Sequence, residues 1–173
     1  MPMSRIVLCS ADAGPASQHN APRPANYFFP GAHWVGAVRN AANNLGVRFV
    51  ILTTGHGLVN PNDILSPYDY HIDTYRPYIT EKWQQTIPAL LSGNGFELLV
   101  FYAGGCPRDA YLDIALPLFL SVGLSVVTFG QPQMADSGNL GNIVSAINLG
   151  AEVDELKAVL NFPERFKYFP AIE

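Results

Sequence analysis

The stretch Arg48-Phe49-Val50-Ile51-Leu52-Thr53-Thr54-Gly55-His56-Gly57-Leu58-Val59-Asn60-Pro61 decides how the chain is read. Its first half is a nearly continuous apolar run without alternation, the pattern of a strand covered on both faces in a parallel sheet. The run stops at two threonines and a histidine bracketed by glycines. Glycine lets the backbone take positive φ or approach a ligand closely, so Thr53–Pro61 reads as the loop at the carboxyl end of a strand. In open α/β sheets, ligands bind in the crevice beyond those ends.

Working outward, three further runs have the same character: Arg5–Cys9, Glu97–Ala103 and Ser125–Phe129. Helical spacing fills the gaps between them. Trp34, Val38, Ala41, Ala42 and Leu45 follow one face of a helix, and Gly46 supplies its stop. A second helix is expected from Thr80, as N-cap, to Leu91, with Pro88 as a kink or early end. Further helices are expected over Asp109–Val122, bent or interrupted by Pro117, over Ser137–Leu149 and over Glu152–Leu160. Strand–helix alternation of this kind predicts an α/β three-layer sandwich around a mostly parallel sheet of four to five strands. No repeat or domain boundary interrupts it, so residues 1–173 are read as a single domain. Residues 11–30 form a long Pro- and Asn-rich loop and residues 161–173 a C-terminal tail.

Composition narrows the function classes. Of 173 residues, 49% are hydrophobic and only 14% charged, which suits a packed protein rather than a disordered one. The formal net charge is −4, and lysine and arginine do not cluster. Binding to phosphate backbones rests on a basic patch, so a nucleic-acid cleft would have to be local. A small anionic ligand held by backbone amides fits the charge balance better, and a homo-oligomer stays open. Two cysteines, Cys9 and Cys106, supply neither a disulfide framework nor a four-ligand zinc site. The expectation is no metal and no cofactor. The apolar run at the start is too short for a signal peptide, and no stretch is long enough to cross a membrane. A cytoplasmic, reducing compartment is the default expectation.

Each candidate residue carries a functional reading and a plainer one. Cys9 and Ser10, ending the first strand, offer a thiol and a hydroxyl at the sheet edge; equally, cysteine is among the most buried residue types. His56 offers an imidazole, which serves as acid, base or donor, or a loop histidine that satisfies a nearby carbonyl. Gly55 and Gly57 offer amides to a ligand, or merely shape a turn. Tyr68 supplies a stacking wall and Asp69 a carboxylate that orients His56 or meets the ligand, or else the tyrosine is a partly buried wedge. Gly104 and Gly105, followed by Arg108 at a helix start, can cradle an anion, although they lack the spacing of a P-loop.

These residues in this order resemble a known pattern. Cys9-Ser10, then Thr53-Thr54-Gly55-His56-Gly57-Leu58-Val59-Asn60-Pro61, then Pro67-Tyr68-Asp69, then an apolar strand closing on Ala103-Gly104, resemble a poorly characterised bacterial and phage domain family. That family is similar to the lysine-transferring domain of archaeosine synthase and, more distantly, to uracil-DNA-glycosylase-like folds. The resemblance implies a Rossmann-like sandwich, a nucleobase- or nucleotide-related ligand and no metal. Relatives usually carry a lysine soon after the Cys-Ser pair; the first lysine here is Lys82.

The resulting expectation is an enzyme acting on a nucleoside, nucleotide or modified nucleobase, with His56 and Asp69 as catalytic groups. Cys9, Ser10, Gly55, Gly57, Tyr68, Gly104, Gly105 and Arg108 would bind the substrate. The alternative is a non-catalytic protein that captures a small nucleotide-like ligand. A third reading has the aromatic segment Phe162–Pro170 docking on a partner, although packing back on its own sheet suits that segment better.

Overall fold

The computed structural model describes residues 5–12, 21–29, 33–103, 108–129, 137–160 and 166–172. In chain order its elements are β1 (Ile6–Ala11), β2 (Arg23–Pro24), α1 (His33–Leu45), β3 (Arg48–Thr53), β4 (Gly57–Val59), β5 (Ile64–Leu65), α2 (Arg76–Leu91), β6 (Leu98–Tyr102), α3 (Arg108–Ser121), β7 (Ser125–Phe129), α4 (Ser137–Asn148) and β8 (Lys167–Phe169). Six strands form one sheet in the order β4-β3-β1-β6-β7-β8, while β2 and β5 make a separate two-stranded pair. The four inner strands are parallel, and the short edges β4 and β8 are antiparallel.

The apolar runs form strands because both faces of the sheet are covered. Along β1, Ile6 and Leu8 enter a core with α1 and α4, whereas Val7, Cys9 and Ala11 enter a core with α2 and α3. All six β1 residues are buried. The result is the expected three-layer α/β sandwich, with six strands instead of four to five. The two additions are the three-residue edges, too short to stand out as apolar runs.

Helix boundaries follow local chemistry. Past α1, Gly46 has φ +69, and its amide bonds the Asn43 carbonyl while Val47 bonds that of Ala42. These two bonds satisfy helix-end carbonyls in a glycine-terminated stop. Helix α2 begins at Arg76 rather than Thr80, because Pro77 is well placed in a first turn that needs no amide donor. Thr80 sits inside that turn, its hydroxyl donating to the Arg76 carbonyl. Pro88 does not end the helix, which continues to Leu91. An interior proline costs about 3 kcal/mol, but α2 buries Ile79, Trp83, Ile87 and Leu91. At roughly 1.5–3 kcal/mol each, those side chains outweigh it. Over Val153–Val159 the chain forms a 3₁₀ turn in place of the expected α-helix; of its seven residues only Leu156 is in the core. The tail returns to the sheet as β8 beside β7.

Among the described residues, no helix is long and apolar enough to cross a membrane.

Candidate functional site

The parallel strands run β3-β1-β6-β7, so the chain steps one way from β1 to β3 and the other way to β6. Between β1 and β6 the connections leave in opposite directions, which opens a crevice beyond the strand ends. Asp12 is the first residue past β1 at this switch point, and its side chain is fully buried. A buried carboxylate is costly without partners, and here they come from three elements. Oδ2 accepts from the Thr54 amide at 2.9 Å and the Tyr68 hydroxyl at 2.6 Å, with the Thr54 hydroxyl at 3.5 Å. Oδ1 accepts from the Tyr111 hydroxyl.

The two tyrosines approach from opposite layers. Tyr68 belongs to the core shared with α1, its ring parallel to Phe28 at 5.9 Å. Tyr111, on α3, belongs to the other core and leans on Trp83 at 5.6 Å. Asp12 thus joins both cores at the carboxyl edge of the sheet.

Beside it, Thr53–Pro61 is not an open loop. Residues Thr54–His56 form the tight turn of a hairpin that returns as β4, pairing Thr53 with Gly57 and Ile51 with Val59. The Thr53 hydroxyl donates to the Gly57 carbonyl at 2.8 Å and accepts from the His56 amide at 3.0 Å. Helix α2 grips the turn from one side: Trp83 Nε1 donates to the Thr53 carbonyl at 2.8 Å, and the Tyr78 hydroxyl to that of Gly55 at 3.2 Å. Burial, and then the neighbouring Tyr70 phenol, push the Tyr78 hydroxyl above its ordinary pKa.

Both glycines are required by their surroundings. A Cβ on Gly55 would lie 2.3 Å from Cγ of Tyr68, and one on Gly57 would lie 2.3 Å from Oγ1 of Thr86. Gly57 also has φ +78. The Thr86 hydroxyl accepts from the Leu58 amide at 3.0 Å, which covers one outward-facing donor of the edge strand.

His56 is half-buried in this turn, its ring edge-on to Tyr68 at 5.3 Å. Nε2 lies 2.8 Å from the Ser66 carbonyl. A carbonyl only accepts, so Nε2 carries the proton and the neutral ring keeps its lone pair on Nδ1.

The other sequence-derived candidates fall into three groups. Cys9 and Ser10 are fully buried, and the Ser10 hydroxyl donates to the Ala11 carbonyl at 2.8 Å. Burial pushes the Cys9 thiol far above its ordinary pKa, only partly offset by a backbone hydrogen bond with Leu52. Asp69 is exposed, and among the described residues no hydrogen bond or ion pair joins it to His56. Gly104 and Gly105 lie outside the described residues, as does the side chain of Arg108, which opens α3.

The structure adds Asp12, Thr54, Ser66 and Tyr111 to the set. The one usable signal was an acidic residue placed directly after an apolar run that the topology puts mid-sheet. Among the described residues, no three His, Cys, Asp or Glu side chains gather as a metal site would need.

The layers and strand order make this a doubly wound α/β protein whose switch point is built around a buried carboxylate. More narrowly, the chain belongs to a family of unknown function, DUF6884, whose model matches residues 6–118. That match runs from β1 into α3 and contains Asp12, the His56 turn, Tyr68 and Tyr111. No curated protein and no solved structure matches the chain.

Proposed function

We propose that the protein is an enzyme acting on a nucleoside, nucleotide or modified nucleobase, at the N-glycosidic bond or at a substituent of the base. His56 is its acid–base group. The observation that carries this reading is the 2.8 Å contact of His56 Nε2 with the Ser66 carbonyl, which orients the ring and leaves Nδ1 for the substrate. A half-buried imidazole with one defined basic nitrogen takes a proton from an attacking water and returns it to a leaving group. Asp69, exposed beside Tyr68, is assigned to charge stabilisation, because a cationic sugar develops as an N-glycosidic bond opens. Tyr68, buried between Phe28 and Gly55, braces the His56 ring edge-on rather than stacking on the base as expected, and Arg108 with the amides of Gly55, Gly57, Gly104 and Gly105 holds substrate oxygens. Cys9 and Ser10, fully buried in a strand paired on both sides, are left out of the binding set. The resemblance to the lysine-transferring domain of archaeosine synthase and to uracil-DNA-glycosylase-like folds supports a nucleobase-related substrate.

A second reading, capture of a nucleotide-like ligand without turnover, is favoured by two observations. Among the described residues His56 has no carboxylate partner, and the chain has no lysine before Lys82.

One experiment separates the readings. The protein is incubated with pooled nucleosides, nucleotides and short oligonucleotides, and both solution and denatured protein are read by liquid chromatography and mass spectrometry. A product formed by the native chain, and formed about 10²–10⁴-fold more slowly by His56→Ala, is expected. An unaltered retained compound supports the binding protein instead, and undiminished turnover in a folded His56→Ala sinks the histidine's role.

A further inference from the structure

A separate concavity lies away from His56. It is an open cavity of about 600 Å³ around the start of β3, the end of α1 and the segment after β4. Arg48, the first residue of β3, is five residues before Thr53 at the carboxyl end, or roughly 16 Å along a strand. The cavity is therefore at the opposite end of the strand from the His56 turn.

Two guanidinium groups line it, Arg39 and Arg48, with the amides of Asn26, Asn43, Asn60 and Asn62. Each arginine is held without being neutralised. Arg39 Nη1 donates to the backbone and side-chain oxygens of Asn26 at 3.1 and 3.3 Å. Arg48 Nη2 donates to Oδ1 of Asn60. The arginine ion pairs among the described residues lie elsewhere, at Arg5–Glu97 and Arg76–Asp113. One carboxylate, Asp63, also lines the cavity, and its Oδ2 accepts from the Asn60 amide at 2.8 Å. The lining thus carries an excess of positive charge in a chain whose net charge is −4.

The walls are tied together before any ligand arrives. The Ala25 and Asn26 amides donate to the Asp63 and Pro61 carbonyls, both at 2.8 Å. The end of α1 would oppose an anion through its carbonyls, but those of Ala42 and Asn43 are already bonded by Val47 and Gly46.

From this arrangement we infer a second binding site, for a phosphorylated sugar or similar hydroxyl-bearing phosphomonoester. Guanidinium groups match phosphate oxygens through planar, forked donors, and two of them line this cavity. Asparagine amides both donate and accept, which suits the hydroxyls of a sugar. The volume falls in the usual range for small-molecule sites. The site is independent of the reaction proposed for His56.

The test is isothermal titration of the full chain with ribose 5-phosphate, against ribose and orthophosphate, at fixed ionic strength. The expected result is one site for ribose 5-phosphate, weaker binding of orthophosphate and none of ribose. Arg48→Gln and Arg39→Gln each weaken it about tenfold or more, while Arg76→Gln and His56→Ala leave it intact. Arg39 also fixes Asn26, so the exposed Arg48→Gln decides the matter if Arg39→Gln does not fold. No binding of ribose 5-phosphate, equal binding of ribose, or an unchanged Kd in folded Arg48→Gln overturns the site. So does a loss of binding in His56→Ala, which would put the probe in the other crevice.

Discussion

Tyr111 donates its hydroxyl to Asp12 across 99 positions of the chain, from a helix on one face of the sheet to the carboxyl end of the central strand. Tyr68 reaches the other oxygen of the same carboxylate from the opposite face. Tyr111→Phe removes one hydrogen bond to a charged group and should cost about 1.5–3 kcal/mol. Asp12→Ala strands several buried donors at once and should cost more, about 3–5 kcal/mol. Urea unfolding at neutral pH measures both; a Tyr111→Phe midpoint equal to that of the native chain would falsify the bond. Because the tyrosines share one acceptor, Tyr68→Phe and Tyr111→Phe should combine non-additively.

Glycine substitutions separate close packing from simple chain flexibility. Gly55→Ala drives a methyl against Tyr68, which Asp12 holds in place, and should destabilise by about 1–3 kcal/mol. Gly57→Ala adds left-handed backbone strain to its contact with Thr86. Gly141, inside α4, meets nothing within 4 Å, so Gly141→Ala should stabilise by about 0.5–1 kcal/mol. In a thermal melt the signs should therefore be opposite. A shared sign for Gly55→Ala and Gly141→Ala would remove the packing argument.

The Cys9 thiol is held protonated by burial, its pKa far above the ordinary value, and thiolate is the form that alkylates. Native protein at pH 8 should leave Cys9 unlabelled by iodoacetamide, while protein in urea should label it readily. Peptide mass mapping reads Cys9 separately from Cys106. Rapid labelling in the native state would contradict the buried placement.

Strand β8 closes one edge of the sheet by pairing with Val126–Thr128 of β7. Removing residues 166–173 uncovers that ladder and takes Phe166 out of the core. Exposed edges pair with other chains, so the truncated protein should show a higher scattering mass than the native chain at equal concentration. A truncated protein with the native mass would count against β8 as an edge cover.

The inner strands were legible because burial on both faces leaves continuous apolar runs, as in Phe49–Leu52 and Leu98–Phe101. The hairpin at Thr54–His56 was not. Gly55 and Gly57 read as a ligand loop, yet what demands them is Tyr68, thirteen positions past Gly55, and Thr86, a full helix away. Lys167–Phe169 was expected to pack back on the sheet but was not read as a strand, because none of its three residues is fully buried. Asp12 carried only a weak signal, an acidic residue just past an apolar run, for a different reason. A single carboxylate has no periodicity, and its tyrosine partners stand 56 and 99 residues off. His56 was legible as a residue, but the atom that fixes its tautomer is a backbone oxygen, which no side-chain pattern records.

The central place of β1 has a consequence for how the protein is made. One neighbour of β1 is β3, about forty residues later; the other is β6, whose Leu98 pairs with Ile6. At ribosomal rates of 5–20 residues per second, the second neighbour follows the first strand by roughly 5–18 s. Throughout that interval a strand whose six residues are all buried in the fold has one hydrogen-bonding edge with nothing to meet it. The nascent chain therefore exposes a fully buried strand before its second partner is made, and a holdase that shields that strand should raise the yield of folded protein more than one acting after release.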